Sequence, residues 1–96
     1  MTFDDGRFEW DEEKAALNAA NHGVTFEEAR EVFDDPCAVE FFDAEHSDEE
    51  PRYGRIRLSG RRLLFVVFAE RGDMTRIIRT RKASKTMERE YVESNF

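Results

Sequence analysis

The side chains best equipped for chemistry in this sequence are cations: Arg71, Arg76, Arg79 and Arg81 around one C-terminal segment, Arg52, Arg55 and Arg57 in the segment before it, and Lys14 and His22 near the start. A guanidinium presents a planar, permanently charged fork to phosphate oxygens and stabilises the charge that builds as a phosphodiester becomes pentavalent. On an extended strand Arg79 and Arg81 share a face, about 7 Å apart at roughly 3.3 Å per residue, near the spacing of successive phosphates. The same alternation places them with Thr75 and Ile77, and puts Arg76 on the opposite face with Ile78 and Thr80. A merely solvated sheet surface would carry arginines in the same way. His22 falls where a helix C-terminus favours the imidazolium, so it is either a general acid or base or a cap on the last carbonyls. Lys14, in a first helical turn whose dipole disfavours cations, either pairs with Asp11 or faces an anion. Trp10 is placed to stack a base or to fill a core, and Glu70 to pair with Arg71 or another arginine.

Other chemistries find little support. His22 and His46 are the only histidines, and no His-x-x-x-His or Cys-x-x-Cys spacing occurs, so no metal is expected. The acidic cluster Asp43, Glu45, Asp48, Glu49 and Glu50 lacks the glycine and spacing of a calcium loop. Neither a glycine-rich phosphate loop nor a Gly-x-Ser-x-Gly elbow is present, and no cofactor is expected. The lone Cys37, beside Pro36 at the head of an apolar run, reads as a buried, inert thiol. The longest apolar run, Leu63 to Ala69, falls well short of the roughly 20 residues that span a bilayer, and nothing resembles a secretion signal. A cytoplasmic protein without membrane contact is expected.

With 96 residues, the chain suits one domain with one core, 1–96, whose first six residues are expected to fray. Its net charge of −7 hides a division: residues 1–51 hold 17 of the 22 acidic side chains against Arg7, Lys14 and Arg30, and residues 52–96 hold 12 of the 15 basic ones. Such asymmetry suits a basic face for phosphates and an acidic region for a basic partner.

Periodicity then places these residues on elements. Arg7-Phe8-Glu9-Trp10 alternates as a short strand. Asp11 is an N-cap and Gly23 a left-handed stop for the first helix. Thr25 with Glu28 opens a second, whose Phe26, Ala29 and Phe33 form a core-facing stripe that Pro36 ends. Strands follow over Cys37–Phe42, Arg52–Ser59, Arg62–Glu70 and Met74–Lys82, with an exposed acidic loop at Asp43–Glu50 and turns at Gly60-Arg61 and Gly72-Asp73. Ser84 caps a last helix with Met87, Tyr91 and Val92 turned inward. Short connections make the later strands an antiparallel meander, and the whole an α+β sandwich.

Phe8-Glu9-Trp10-Asp11 with Lys14, then His22-Gly23-Val24, Phe26-Glu27-Glu28-Ala29 and Val32-Phe33-Asp34-Asp35-Pro36, resemble the opening of the BrnT toxin family. His46-Ser47, Glu50 and Arg52-Tyr53 resemble its middle. Leu64 to Val67, Glu70-Arg71-Gly72, Arg76-Ile77-Ile78, Arg81, Ala83, Glu88 and Tyr91 resemble its end. Between Ile78 and Arg81 the family pattern has small residues, so Arg79 has no counterpart there. The resemblance implies a RelE-like fold: an antiparallel sheet of about four or five strands packed by two N-terminal helices and one C-terminal helix. It also implies a metal-independent endoribonuclease that arrests growth as the toxin of a type II toxin–antitoxin system. A BrnA-like antitoxin with a ribbon-helix-helix DNA-binding part would neutralise it, and operator DNA would be met only through that antitoxin. On this reading Arg81, with Arg76 and Arg71 assisting, holds the scissile phosphate; Arg52 adds an RNA contact, as does Arg79 by its place beside Arg81 on the strand and not by the resemblance; Lys14 and His22 are the candidates for proton transfer; and the RNA's 2′-OH is the nucleophile. The alternative is a module that binds nucleic acid or antitoxin without cutting.

Overall fold

A computed structural model of the chain describes residues 1–44, 50–59 and 62–96. Residues 45–49 of the acidic loop, with His46, and the turn at 60–61 lie outside the described residues. Among those described, β1 (Thr2–Asp4), β2 (Phe8–Asp11), β3 (Val39–Phe42), β4 (Tyr53–Ser59), β5 (Arg62–Arg71) and β6 (Met74–Lys82) form one sheet in the order β1-β2-β6-β5-β4-β3. Helices α1 (Glu12–His22), α2 (Phe26–Arg30) and α3 (Lys85–Asn95), with a 3-10 turn at Glu31–Asp34, complete an α+β architecture. None of the helices is long and apolar enough to cross a membrane.

The expected meander β3-β4-β5-β6 is antiparallel throughout, as the two-residue connections from β4 to β5 and from β5 to β6 require. The sheet is nevertheless mixed and has six strands, which corrects the expectation of four or five antiparallel ones. β2 pairs in parallel with β6, Phe8 opposite Thr75 and Glu9 opposite Arg76, a pairing that a long crossover makes possible. Thr2–Asp4, expected to fray, pairs antiparallel with β2 because Phe3 lies opposite Trp10 and stacks on it at 4.1 Å between ring centroids.

Caps fix the helix ends where the side chains can satisfy free amides. Asp11 accepts from the N–H groups of Glu13 and Lys14, Thr25 from that of Glu28, and Ser84 from that of Met87. Gly23 closes α1 at φ 67°, where its N–H donates to the Ala19 carbonyl, a conformation that costs other residues more.

The apolar alternation of β5 feeds two cores, one on each face of the sheet. Leu64 and Val66 join Phe8, Trp10, Ile77, Val24, Phe26, Ala29 and Val32 beneath α2 and its 3-10 turn. Phe65 and Val67 join Ile56 and Tyr91 beneath α3. Trp10 is 2% exposed, so of its two readings the core one holds. Two smaller expectations fail: Val92 is 49% exposed, because the inward stripe of α3 runs through Met87 and Tyr91, and Cys37 is exposed, standing in the turn after Pro36 rather than in a strand.

The register of β6 departs from simple alternation. Val67 faces Arg79 and Phe68 faces Ile77, so Ile78 is an extra residue, a bulge, on β6. A bulge resets the side-chain phase. Arg79 and Arg81 therefore sit opposite Val67 and Phe65, on the α3 face. Arg76 is there too, opposite Glu9, whose neighbours Phe8 and Trp10 point into the other core. The expected separation of Arg76 from Arg79 and Arg81 is thus overturned: all three share one face.

Candidate active site

The expected RNA ligands converge in part. Lys14 from the first turn of α1, Arg52 just before β4, Arg71 at the end of β5 and Arg76 on β6 line one hollow of about 110 Å³, together with Asp11, Glu50, Ile77 and Ile78. It opens beside β6, where β2 ends and α1 begins. Position follows from backbone. Asp11 caps α1 and so presents Lys14 three residues on. The bulge supplies Ile78 to the wall.

Asn18 fixes α1 against this strand. Among the described residues no strand pairs the outer edge of β6 past the end of β2, and the carboxamide of Asn18 takes that place: its Nδ2 donates to the Thr80 carbonyl at 2.8 Å and its Oδ1 accepts from the Thr80 N–H at 3.1 Å. A second bond from Nδ2 to the Val24 carbonyl, 3.0 Å, ties in the start of α2. Asn18 is 6% exposed, where unpaired amides are costly.

The hollow is not a bare cluster of cations. Arg71 donates to both oxygens of Glu50, Nε to Oε2 at 3.1 Å and Nη2 to Oε1 at 3.0 Å, the bidentate geometry of a strong pair. Those bonds hold the Glu50 carboxyl below the usual range and raise Arg71. Arg76 stands 3.6 Å from the Glu9 carboxylate. The amide bonds at the head of α1, that of Lys14 first, likewise hold Asp11 low, so it stays charged beside Lys14.

The other expected residues lie elsewhere. Arg79 and Arg81 continue along the same face of β6, and Arg81 lies beyond Arg76 by the four residue steps of β5 from Ala69 to Phe65, about 13 Å at roughly 3.3 Å per residue. The Arg81 guanidinium lies 5.1 Å from the centroid of the Phe65 ring. His22 is exposed at the far end of α1, about 12 Å along the helix axis from Lys14 at 1.5 Å per residue, and does not line the hollow. Arg55 and Arg57 point the opposite way and brace the fold: Arg55 bonds Glu40 at 3.1 Å and lies over Phe33, and Arg57 reaches the mostly buried Asp35 at 3.1 Å. Glu50 and Asp11 were not expected in the site. The signal for Glu50 was its position two residues before Arg52, at the end of the acidic loop. Among the described residues no three His, Cys, Asp or Glu side chains gather as metal ligands.

An α+β sheet thus gathers cations from a helix, a loop and two strands at one hollow. The chain belongs to the BrnT family: residues 10–86 match the family model for the ribonuclease toxin, BrnT, of type II toxin–antitoxin systems. The matched span contains every residue that lines the hollow. Such a toxin implies an antitoxin partner. Comparison with curated proteins returned no match.

Proposed function

We propose that residues 1–96 act as one RelE-like toxin domain in the cytoplasm, a metal-independent endoribonuclease that cuts RNA and so inhibits translation and growth. A BrnA-like antitoxin with a ribbon-helix-helix part neutralises it, and the pair meets operator DNA through the antitoxin alone. The observation that carries the reading is the convergence of Lys14, Arg52, Arg71 and Arg76 on one hollow of a chain in a ribonuclease family.

The chemistry follows from the residue types. Arg76, Arg52 and Arg71 hold the non-bridging oxygens of the scissile phosphate and take up the charge of the pentavalent state. The adjacent 2′-OH of the RNA attacks, which spares DNA. Lys14 gives a proton to the departing 5′-oxygen. Arg79 and Arg81 lie further along the strand and hold flanking phosphates, so Arg81, expected to lead the chemistry, is assigned to substrate holding. His22 is too distant along α1 to share the proton transfers at this hollow.

The test is cleavage of a labelled RNA with EDTA present. Activity is expected to persist, to fall about 100-fold or more in Arg76→Ala, and to disappear when the RNA carries 2′-deoxy sugars. RNA binding with no cleavage by the native protein would instead make it a binding module.

A further inference from the structure

Attack by a 2′-OH needs two proton transfers, one off the hydroxyl and one onto the leaving oxygen. Lys14 can serve the second. The cations of the hollow cannot serve the first, since arginine stays protonated and an ammonium has no lone pair. Two carboxylates line the same hollow. Asp11 is committed to the fold as the cap of α1, its Oδ1 accepting two amides. Glu50 stands in the loop ahead of β4, its side chain 28% exposed, with one Arg71 bond on each oxygen, and each oxygen keeps a further lone pair. Glu9 also meets an arginine, but it does not line the hollow.

We propose that Glu50 is the general base of the cleavage and works across the hollow from Lys14 as the acid. This rests on the ribonuclease reading above. The Glu50 carboxylate takes the proton of the 2′-OH as the 2′-oxygen bonds to phosphorus. The bond from phosphorus to the 5′-oxygen breaks, and that oxygen takes a proton from Lys14 Nζ. The products are a 2′,3′-cyclic phosphate and a free 5′-OH. Arg71 orients the carboxylate and keeps it ionised, at the expense of basicity; its positive charge and that of Arg76 offset this by acidifying the bound 2′-OH.

The experiment compares native protein with Glu50→Gln in single-turnover cleavage, on ordinary RNA and on RNA whose leaving 5′-oxygen is replaced by sulfur, a leaving group that needs no acid. Affinity is measured with an uncleavable 2′-O-methyl analogue, and folding by thermal unfolding. Glu50→Gln should bind RNA at least as tightly as native, unfold within a few degrees of it, and cleave at least 100-fold more slowly on both substrates. Lys14→Ala should be slow on ordinary RNA and recover on the sulfur substrate. The acid limb of the native rate profile should lie below the ordinary glutamate range and vanish in Glu50→Gln. Cleavage by Glu50→Gln within a few-fold of native, recovery of its rate by sulfur, or a loss explained by weaker binding each overturns the assignment. A native protein that cuts no RNA overturns the ribonuclease reading itself, a separate and recognisable failure.

Discussion

Asn18 satisfies both backbone groups of Thr80 and one carbonyl at Val24, so Asn18→Ala leaves buried amide groups unmatched. A loss of roughly 2–3 kcal/mol is expected, read from urea unfolding, together with slower RNA cleavage as α1 loosens over Lys14. Stability equal to native would show that water replaces the carboxamide without penalty. Gly54 poses the opposite problem, of space. A Cβ there would stand 2.5 Å from Phe41 Cζ and 2.6 Å from Phe65 Cε1. Gly54→Ala should cost about 1–3 kcal/mol by overpacking, again measured by unfolding. Neither residue was legible in the sequence. An asparagine inside an alanine-rich helix and a glycine within a strand give no sign of their partners, which are 62 residues away for Thr80 and a strand away for Phe41. Lys14 stood out because its sign opposes the helix dipole, and the structure places it on the lining of the hollow together with Asp11, the partner its other reading named.

Among the elements, the caps were readable and the bulge was not. A cap is a local bargain between one side chain and the next two or three amides, so Asp11, Gly23, Thr25 and Ser84 could be assigned from spacing alone. The bulge at Ile78 depends on β5 and β6 together, since it appears only in their register, with Val67 opposite Arg79 and Phe68 opposite Ile77. Strict alternation along β6 therefore misplaced Arg76 relative to Arg79 and Arg81 by one phase. The same locality gives the caps a pH signature. Asp11, through the Lys14 amide first, and Asp5, through the Phe8 amide first, are both held below the ordinary aspartate value of 3.8. A carboxylate lowered on folding adds stability above its unfolded pKa, and that share is lost as pH falls through the folded value. Thermal midpoints followed from about pH 6 to about pH 3 should thus drop more steeply for native protein than for Asp11→Asn, whose cap does not titrate. Parallel curves would mean that Asp11 contributes no charge-dependent stability.

Across the whole molecule the charge division of the sequence is met partly by pairing, Arg55 to Glu40, Arg57 to Asp35 and Arg62 to Glu28, and partly by separate surfaces. The first turns of α1 and α2 carry Glu12, Glu13, Glu27 and Glu28, while Arg76, Arg79 and Arg81 run along the α3 face of β6 toward the hollow with Arg52 and Arg71. Which half was basic could be read from the sequence; that β2 would lie parallel to β6, bringing Lys14 to that basic strand, could not, because the pairing joins the two ends of the chain. On the proposed reading, RNA affinity should fall with salt. Each phosphate neutralised on a single strand contributes about −0.7 to the slope of log affinity against log salt. Five arginines, Arg71 and Arg76 among them already facing carboxylates, should give a slope no steeper than roughly −3.5 with an uncleavable RNA. Arg79→Ala removes a flanking contact, so it should flatten the slope by about 0.7 and weaken all sequences alike, with the cleavage rate of bound RNA unchanged. Arg76→Ala should flatten the slope by a similar amount and also slow cleavage of the bound RNA, because its guanidinium meets charge that develops only in the transition state. Titration by fluorescence anisotropy over a salt series, paired with single-turnover rates, separates the two. A slope near zero would place the RNA somewhere other than this strand, and equal rate losses in both variants would mean that Arg79 and Arg76 do not divide holding from chemistry.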